Sequence, residues 1–164
     1  MKSIFKYLAI AAMSIVLTGL VACGEKNEKD YYAFQYDGQT VAAGATVEYV
    51  PTSTEIRNDW ASIEFFLENK TDGDLPTVMT VKRVDGPAAF DALSICYGET
   101  CKTGTCPWTS DAFTLVPGVN QNLKVTIDYV PSSATEPGVY EITIGKGSSL
   151  EGAQVMYLKM TSGN

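Results

Sequence analysis

The sequence contains no histidine among its 164 residues. Without histidine, the chain cannot form a Ser-His-Asp or Cys-His nucleophilic site, and it cannot ligate zinc, copper or iron through imidazole. No acid/base arrangement stands out either, and a sequence does not reveal the separation of two carboxylates. We therefore predict a protein that is not an enzyme and that holds no cofactor or metal.

Basic residues are scarce in this chain. It has 12 Lys and Arg against 19 Asp and Glu, a net charge of −7, and removal of the first 22 residues would leave −9. An acidic surface repels nucleic-acid phosphates and anionic lipid headgroups, so we predict no nucleic-acid partner. The apolar fraction of 45% is that of an ordinary globular chain, and the length predicts one domain.

No apolar run is long enough to cross a bilayer. The uncharged segment 7–22 is shorter than the roughly 20 residues that a membrane-spanning helix needs. It follows Lys2 and Lys6 and ends in small residues, an order typical of a secretory signal peptide. We therefore predict a signal peptide at residues 1–22.

The end of this segment carries a specific motif, Leu20-Val21-Ala22-Cys23. The motif resembles the lipobox of bacterial lipoprotein precursors. That resemblance implies cleavage before Cys23, a diacylglycerol thioether on Cys23 and acylation of the new amino terminus by a chain such as palmitate. Each methylene group of the lipid that is buried in the bilayer contributes about 0.8 kcal/mol to membrane binding. The acyl chains would therefore anchor the protein to the membrane. Gly24, in place of the Asp of the enteric sorting rule, favours the outer membrane.

We expect residues 23–31 to be the lipidated cysteine and a flexible tether, because the stretch after Cys23 is polar and mixed in charge. Its acids are interrupted by Lys26 and Lys29, so an acidic export signal for the cell surface is incomplete. The sequence leaves open whether the domain faces the cell surface or the periplasm. A cysteine that follows an ordinary signal peptide by coincidence is the alternative to lipidation.

From residue 31 onward the chain has no convincing apolar pattern of period 3.6, and alternation of period two recurs instead. The alternating or apolar segments are 31–36, 46–50, 62–68, 78–84, 113–116, 123–129, 140–144 and 154–160. About seven or eight short strands predict an all-β, antiparallel β-sandwich over residues 32–164, since two facing sheets cover each other's apolar faces. A barrel is the alternative.

The segment Ile95-Cys96-Tyr97-Gly98-Glu99-Thr100-Cys101 resembles a cysteine-containing loop of small Ig-like modules in secreted proteins of Gram-negative anaerobes. The resemblance covers about residues 45–160. It implies an Ig-like sandwich in an extracytoplasmic setting and brings no catalytic residues with it. The chain departs from those modules in having a third nearby cysteine, Cys106, and we expect it, unlike them, to stand alone behind a lipid anchor.

Three interpretations are open for Cys96, Cys101 and Cys106, which are spaced five residues apart. A Cys96–Cys101 disulfide would stiffen a loop in an oxidising compartment. A bridge that involves Cys106 is the second alternative. A metal or redox site is the third, and the absence of Cys-x-x-Cys spacing disfavours it. If Cys106 is unpaired and exposed, we expect a disulfide-linked dimer, and if it is buried, an inert thiol.

Trp108 and Tyr97 are the candidate binding aromatics, because both fall in the cysteine-rich segment that is expected to be a stiffened loop. The alternative is that Trp108 folds back to cover the end of the sandwich. Trp60 precedes a predicted strand and is expected in the core. Segment 31–36 is either the first strand or a segment that pairs with a partner chain.

These features predict an outer-membrane-anchored lipoprotein with a non-catalytic Ig-like domain. Its role would be that of a binding or accessory module for a protein or glycan ligand that the sequence does not identify. The alternative is a structural subunit or assembly factor of an envelope complex or fimbria.

Overall fold

The computed structural model describes residues 30–163, so Cys23, the predicted signal peptide and most of the tether lie outside the described residues. The described residues form thirteen strands and three short 3₁₀ turns. The strands are β1 (Tyr32–Tyr36), β2 (Gln39–Val41), β3 (Thr46–Tyr49), β4 (Ala61–Asn69), β5 (Leu75–Asp85), β6 (Ala92–Tyr97), β7 (Thr100–Thr105), β8 (Trp108–Thr109), β9 (Phe113–Leu115), β10 (Gly118–Val119), β11 (Val125–Tyr129), β12 (Gly138–Lys146) and β13 (Glu151–Met160). The 3₁₀ turns are Ala88–Phe90, Gln121–Leu123 and Pro131–Ser133.

Two sheets face each other. The first has the order β2-β1-β4-β11-β6-β7, with β10 also on β4, and the second has the order β3-β13-β12-β5-β8, with β9 also on β5. The succession β1-β4-β11-β6 opposite β13-β12-β5 is the strand order of an Ig-like sandwich. The predicted all-β sandwich is therefore confirmed. The strand count exceeds the expectation because the structure adds short strands such as β2, β8 and β10, and because the cysteine-rich segment forms β6 and β7.

Alternation along the strands builds the core between the sheets. In β4, the odd-numbered residues Ile63, Phe65 and Leu67 are buried, while Ser62 and Glu64 face solvent. β12 and β13 supply the facing layer with the buried side chains Tyr140, Ile142, Ile144, Met156, Leu158 and Met160. Each such side chain contributes about 1.5–3 kcal/mol of burial free energy.

The hydrophobic core of the described residues is one cluster, and its buried members all lie between Tyr32 and Met160. A chain beginning at Gly24 contains all of these residues, and the experiments below use it.

The sandwich has two distinct ends. β1 starts beside the end of β4, where Tyr32 is opposite Asn69, and we call this the entry end. At the other end, which we call the far end, Tyr129 is opposite Ala61 and Tyr49 closes β3. The turn at residues 37–38 and the loop at residues 50–60 both lie at the far end.

Asn69 connects three segments at the entry end, and it is only 1% exposed. Its amide nitrogen donates to the carbonyl oxygens of Gly73 (2.8 Å) and Leu115 (2.9 Å). Its amide oxygen accepts from the backbone N–H and the hydroxyl of Thr71, each at 2.8 Å. The side chain thus fixes the β4–β5 turn and holds β9 against it.

Replacing Asn69 by alanine should lower the free energy of unfolding by about 3 kcal/mol, because it removes the buried hydrogen bond to the Leu115 carbonyl together with the bonds that fix the turn. Urea denaturation of the chain beginning at Gly24 measures this. The control is Lys70→Ala, which removes a partly exposed ion pair with Asp30 and should cost less than about 1 kcal/mol. Equal stability of the two variants would contradict the role given to Asn69.

Candidate functional site

The cysteine-rich segment is a β-hairpin and not a loop. Cys96 in β6 lies directly opposite Cys101 in β7, and the two form a disulfide with an S–S distance of 2.02 Å. This is the first of the three interpretations that the sequence left open. The neighbours Ile95 and Tyr97 point into the core, so the disulfide lies on the outer face of the first sheet. It locks the β6–β7 hairpin.

Tyr97 and Trp108, the candidate binding aromatics, are 5% and 6% exposed. Their rings meet edge to face at 6.2 Å, and Tyr97 also packs on Phe113 at 5.1 Å. Trp108 lies over Gly104, where an added Cβ would come within 3.0 Å of the indole ring. Trp108 thus folds back onto the sandwich, and burial leaves neither ring exposed as the loop anchor that the sequence suggested.

Trp60 is the exposed tryptophan, at 39%, although the sequence placed it in the core. It closes a two-residue turn in which Arg57 and Trp60 exchange backbone hydrogen bonds of 2.8 and 3.0 Å. Asn58 and Asp59 occupy the left-handed region at φ 51° and 70°, which is the requirement of a type I′ turn. Trp60 shares the parity of the outward-facing Ser62, and this parity explains the exposure.

A cleft of about 380 Å³ opens at the far end of the sandwich, and we call it the far-end cleft. Its walls come from β1, β3, β4 and the loops between them. It combines aromatic rings with carboxylates. The lining residues are Tyr36, Asp37, Gly38, Tyr49, Glu55, Ser62, Glu64 and Phe66.

Two tyrosines of the far-end cleft keep their protons over the physiological range. Burial raises the pKa of Tyr49 to about 12, and the nearby Glu55 carboxylate adds to the increase. Burial also raises the pKa of Tyr36, with Asp37 contributing. The Tyr49 ring is held in place from behind by Tyr129, with centroids 6.4 Å apart. Both phenols therefore offer neutral hydroxyl groups and ring faces.

The carboxylates of the cleft differ in their partners. Glu55 accepts hydrogen bonds of 2.7 Å from both the hydroxyl and the backbone N–H of Thr52, and these bonds lower its pKa. Glu64 is paired with Lys124 at 2.6 Å. Asp37 sits in the left-handed region at φ 48° in the β1–β2 turn. Glu55 is thus a charged group that is already oriented by the loop.

Aromatic faces beside carboxylates favour a positively charged guest. A Lys or Arg head group is attracted to a ring face by the ring quadrupole and forms charge-assisted hydrogen bonds with carboxylates. Within residues 30–163, no group of three His, Cys, Asp or Glu side chains has the arrangement of a metal site. In the same range, no helix is long and apolar enough to cross a membrane.

A second concavity of about 310 Å³ lies at the entry end. Its charged residues, Asp30 and Lys70, bind each other. It is also adjacent to the point where residues 1–29 join the domain. These two facts make it a poorer ligand site than the far-end cleft.

Cys106 is partly buried and forms no disulfide with another described residue. It lies with Arg83, Asp91 and Pro107 in a recess of about 310 Å³. Burial raises the pKa of the Cys106 thiol to about 11, and the negative charge of Asp91 adds to the increase. The thiol is therefore protonated at neutral pH and is a weak nucleophile.

Comparison with solved structures identifies a shared fold. The N-terminal domain of PorA superposes with a TM-score of 0.57 and 13% identity, over 81% of this chain and 99% of that one. A PapD-like domain of human CEP192 gives 0.43 and 12% over 92% and 96%, and a conjugative transposon lipoprotein from Bacteroides eggerthii gives 0.41 and 12% over 80% and 95%. Only the first score supports an inference, and it concerns the fold alone. Neither a protein-family model nor a curated protein matches the sequence.

We expect Cys106 to react slowly with iodoacetamide at neutral pH and to run without a disulfide-linked dimer on non-reducing gels. Its labelling rate, followed by mass spectrometry on the chain beginning at Gly24, should rise until the pH approaches 11. Asp91→Asn removes the nearby negative charge and should speed labelling at neutral pH. Labelling of the parent chain as fast as that of a free cysteine peptide would contradict the buried environment.

The same pKa shift has a consequence for stability. The unfolded thiol ionises near 9, whereas the folded thiol holds its proton to about 11. The stabilising contribution is therefore complete below pH 9 and disappears as the pH rises to about 11. Cys106→Ser should lack this part of the alkaline destabilisation.

Proposed function

We propose that the protein is an outer-membrane lipoprotein, anchored through lipid on Cys23, whose Ig-like domain is a non-catalytic binding module. In this proposal the far-end cleft receives a cationic group of the ligand, such as a basic side chain of a peptide. The observation that carries the proposal is positional. The chain enters the domain at one end, and the far-end cleft opens at the other.

The dimensions of the tether and the strands support this arrangement. Residues 24–29 extend at most about 20 Å, so a lipid on Cys23 keeps the entry end close to the bilayer. Nine residues of β4 separate the two ends by about 30 Å, at roughly 3.3 Å per residue. The far-end cleft would then lie beyond the headgroups, toward the end of the domain that is farther from the membrane.

Charge supports the same orientation and the same ligand class. Residues 30–163 carry 17 acids and 8 bases. Anionic headgroups repel such a surface, so the domain would stand off the bilayer on its tether. The same field attracts cationic ligands, and the Glu55 carboxylate gives them a defined point of contact.

Lipidation is tested by metabolic labelling with radioactive palmitate in a Gram-negative host. The full-length chain should incorporate label and fractionate with membranes, whereas Cys23→Ser should do neither, because the thioether has no sulfur to form on. Cys106→Ser is the matched control and should label like the parent. Label retained in Cys23→Ser would disprove the anchor without affecting the assignment of the cleft.

Cation binding is tested by titrating the chain beginning at Gly24 with a hexa-arginine peptide and following the tyrosine ring signals by NMR. We expect Tyr36 and Tyr49 to shift and Glu55→Gln to weaken binding at least fivefold. Added salt should also weaken binding because it screens the charges.

The control for charge is Asp74→Asn, an exposed acid at the entry end that changes the net charge by the same amount. It should bind like the parent. Equal weakening by Asp74→Asn and Glu55→Gln would mean that the peptide binds the general acidic surface, and it would overturn the cleft as a site.

A further inference from the structure

β7 is an open edge of the first sheet. It is the last strand in the order and pairs with β6 alone among the described strands. It has six residues, whereas the other edge strands β2, β3 and β8 have three, four and two. β7 is therefore the longest of the edge strands in residues 30–163.

The pattern of hydrogen bonds between β6 and β7 shows which backbone groups of β7 are free. The N–H of Cys106 donates to the carbonyl of Asp91 at 3.0 Å, on the side of β7 that faces β6. Backbone groups alternate in direction along an antiparallel pair, so the N–H and C=O groups of Lys102 and Gly104 also point toward β6. The backbone groups of Cys101, Thr103 and Thr105 point away from β6, and all three residues are exposed.

Several devices that usually protect a sheet edge are missing from β7. It contains no proline, and its register with β6 has no bulge. Its one charge, Lys102, is already paired with Asp111 at 2.7 Å. The Cys96–Cys101 disulfide holds the strand in an extended shape, which lowers the ordering cost of adding another strand.

We propose that two copies of this chain pair through β7 in antiparallel orientation, with Thr103 on the two-fold axis. In this register Thr103 faces Thr103 of the second copy, and Cys101 faces Thr105. These are the positions with free backbone groups, and together they form about six backbone hydrogen bonds. The arrangement is self-complementary, as a two-fold interface must be.

The side chains favour this register, as the free backbone groups do. A threonine pair on the axis is a favourable cross-strand pair. Lys102 lies opposite Gly104 of the second copy, so no like charges are directly opposed and the glycine leaves room for the lysine stem. Self-pairing therefore satisfies the edge without a clash, which is why a second copy is preferred here over a strand of another protein.

The pairing is weak and depends on salt. Adding one six-residue strand buries less than the 1,200 Å² that marks the lower limit of stable interfaces, so about micromolar to millimolar concentrations are needed. Both copies are strongly acidic, so screening by salt should strengthen the association. Binding of a cationic peptide in the far-end cleft has the opposite salt dependence, so failure of either proposal is distinguishable from failure of the other.

The test is sedimentation equilibrium of the chain beginning at Gly24 over a range of concentrations up to about millimolar. Thr103→Pro removes an outward N–H and no β6–β7 hydrogen bond, and proline is tolerated on edge strands. It should weaken association at least tenfold. Thr103→Val keeps the N–H and the branched shape, and it should associate like the parent.

A second pair of variants keeps the test decisive if Thr103→Pro does not fold. Thr103→Asp and Thr103→Lys each place like charges on the axis, so each alone should remain monomeric. An equimolar mixture of the two should associate again, because opposite charges then meet. A monomeric parent chain at every concentration, unaltered association in Thr103→Pro, or a mixture that stays monomeric would overturn the proposal, as would capture of another protein's strand in place of the second copy.

Discussion

The two-residue alternation of the strands is the constraint on which the rest of this structure depends. In β4 it sends Phe65 into the core and leaves Glu64 on the outer face. In β6 it buries Tyr97 and places Cys96 outside, where the disulfide can form across the hairpin. In β7 it decides which backbone groups are left for a partner. A shift of one residue in any of these registers would exchange the core with the surface.

The sequence predicted the central strands well because both signals of a half-buried strand, alternating polarity and flanking turn residues, are present in them. β11 and β12 alternate cleanly and end at turn residues, and the structure follows the pattern. The expectation that Trp60 is in the core was wrong, since the sequence gives no register. Of the two alternatives left open for Trp108, the structure shows the one in which the ring folds back onto the sandwich. Trp60 lies at an outward position before β4, while Trp108 has a glycine, Gly104, beneath its ring. Only the three-dimensional pairing shows that space.

The far-end cleft was not predictable, because its parts come from several different elements. Asp37 lies in the β1–β2 turn, Tyr49 at the end of β3, Glu55 in the β3–β4 loop and Glu64 in β4. Each looks like an ordinary polar or aromatic residue in isolation. The sequence carried one local signal. Thr52 lies three residues before Glu55, a spacing at which the Glu55 side chain can fold back on its own loop, and the two 2.7 Å hydrogen bonds show that it does. The orientation of Glu55 could have been inferred, but not its neighbours.

The geometry separates three surfaces that would otherwise compete. The entry end receives the chain, the far-end cleft opens at the opposite end, and the β7 edge runs along the side of the first sheet, beyond β6 and β11. Pairing through β7 extends the sheet sideways and leaves both ends uncovered.

A two-fold axis perpendicular to the strands, however, reverses the second copy, so its entry end points the opposite way. Because the two paired edges belong to one continuous sheet, the axis is normal to that sheet, and the sandwich faces stay on the same sides. The two entry ends therefore point in opposite directions, so paired copies anchored on one membrane would need at least one tether long enough to reach around a domain about 30 Å tall. Residues 24–29 reach only about 20 Å. The proposed anchor and the proposed β7 pairing therefore oppose each other on a single membrane, and the pairing would best suit copies that are free of the bilayer or that come from two facing membranes.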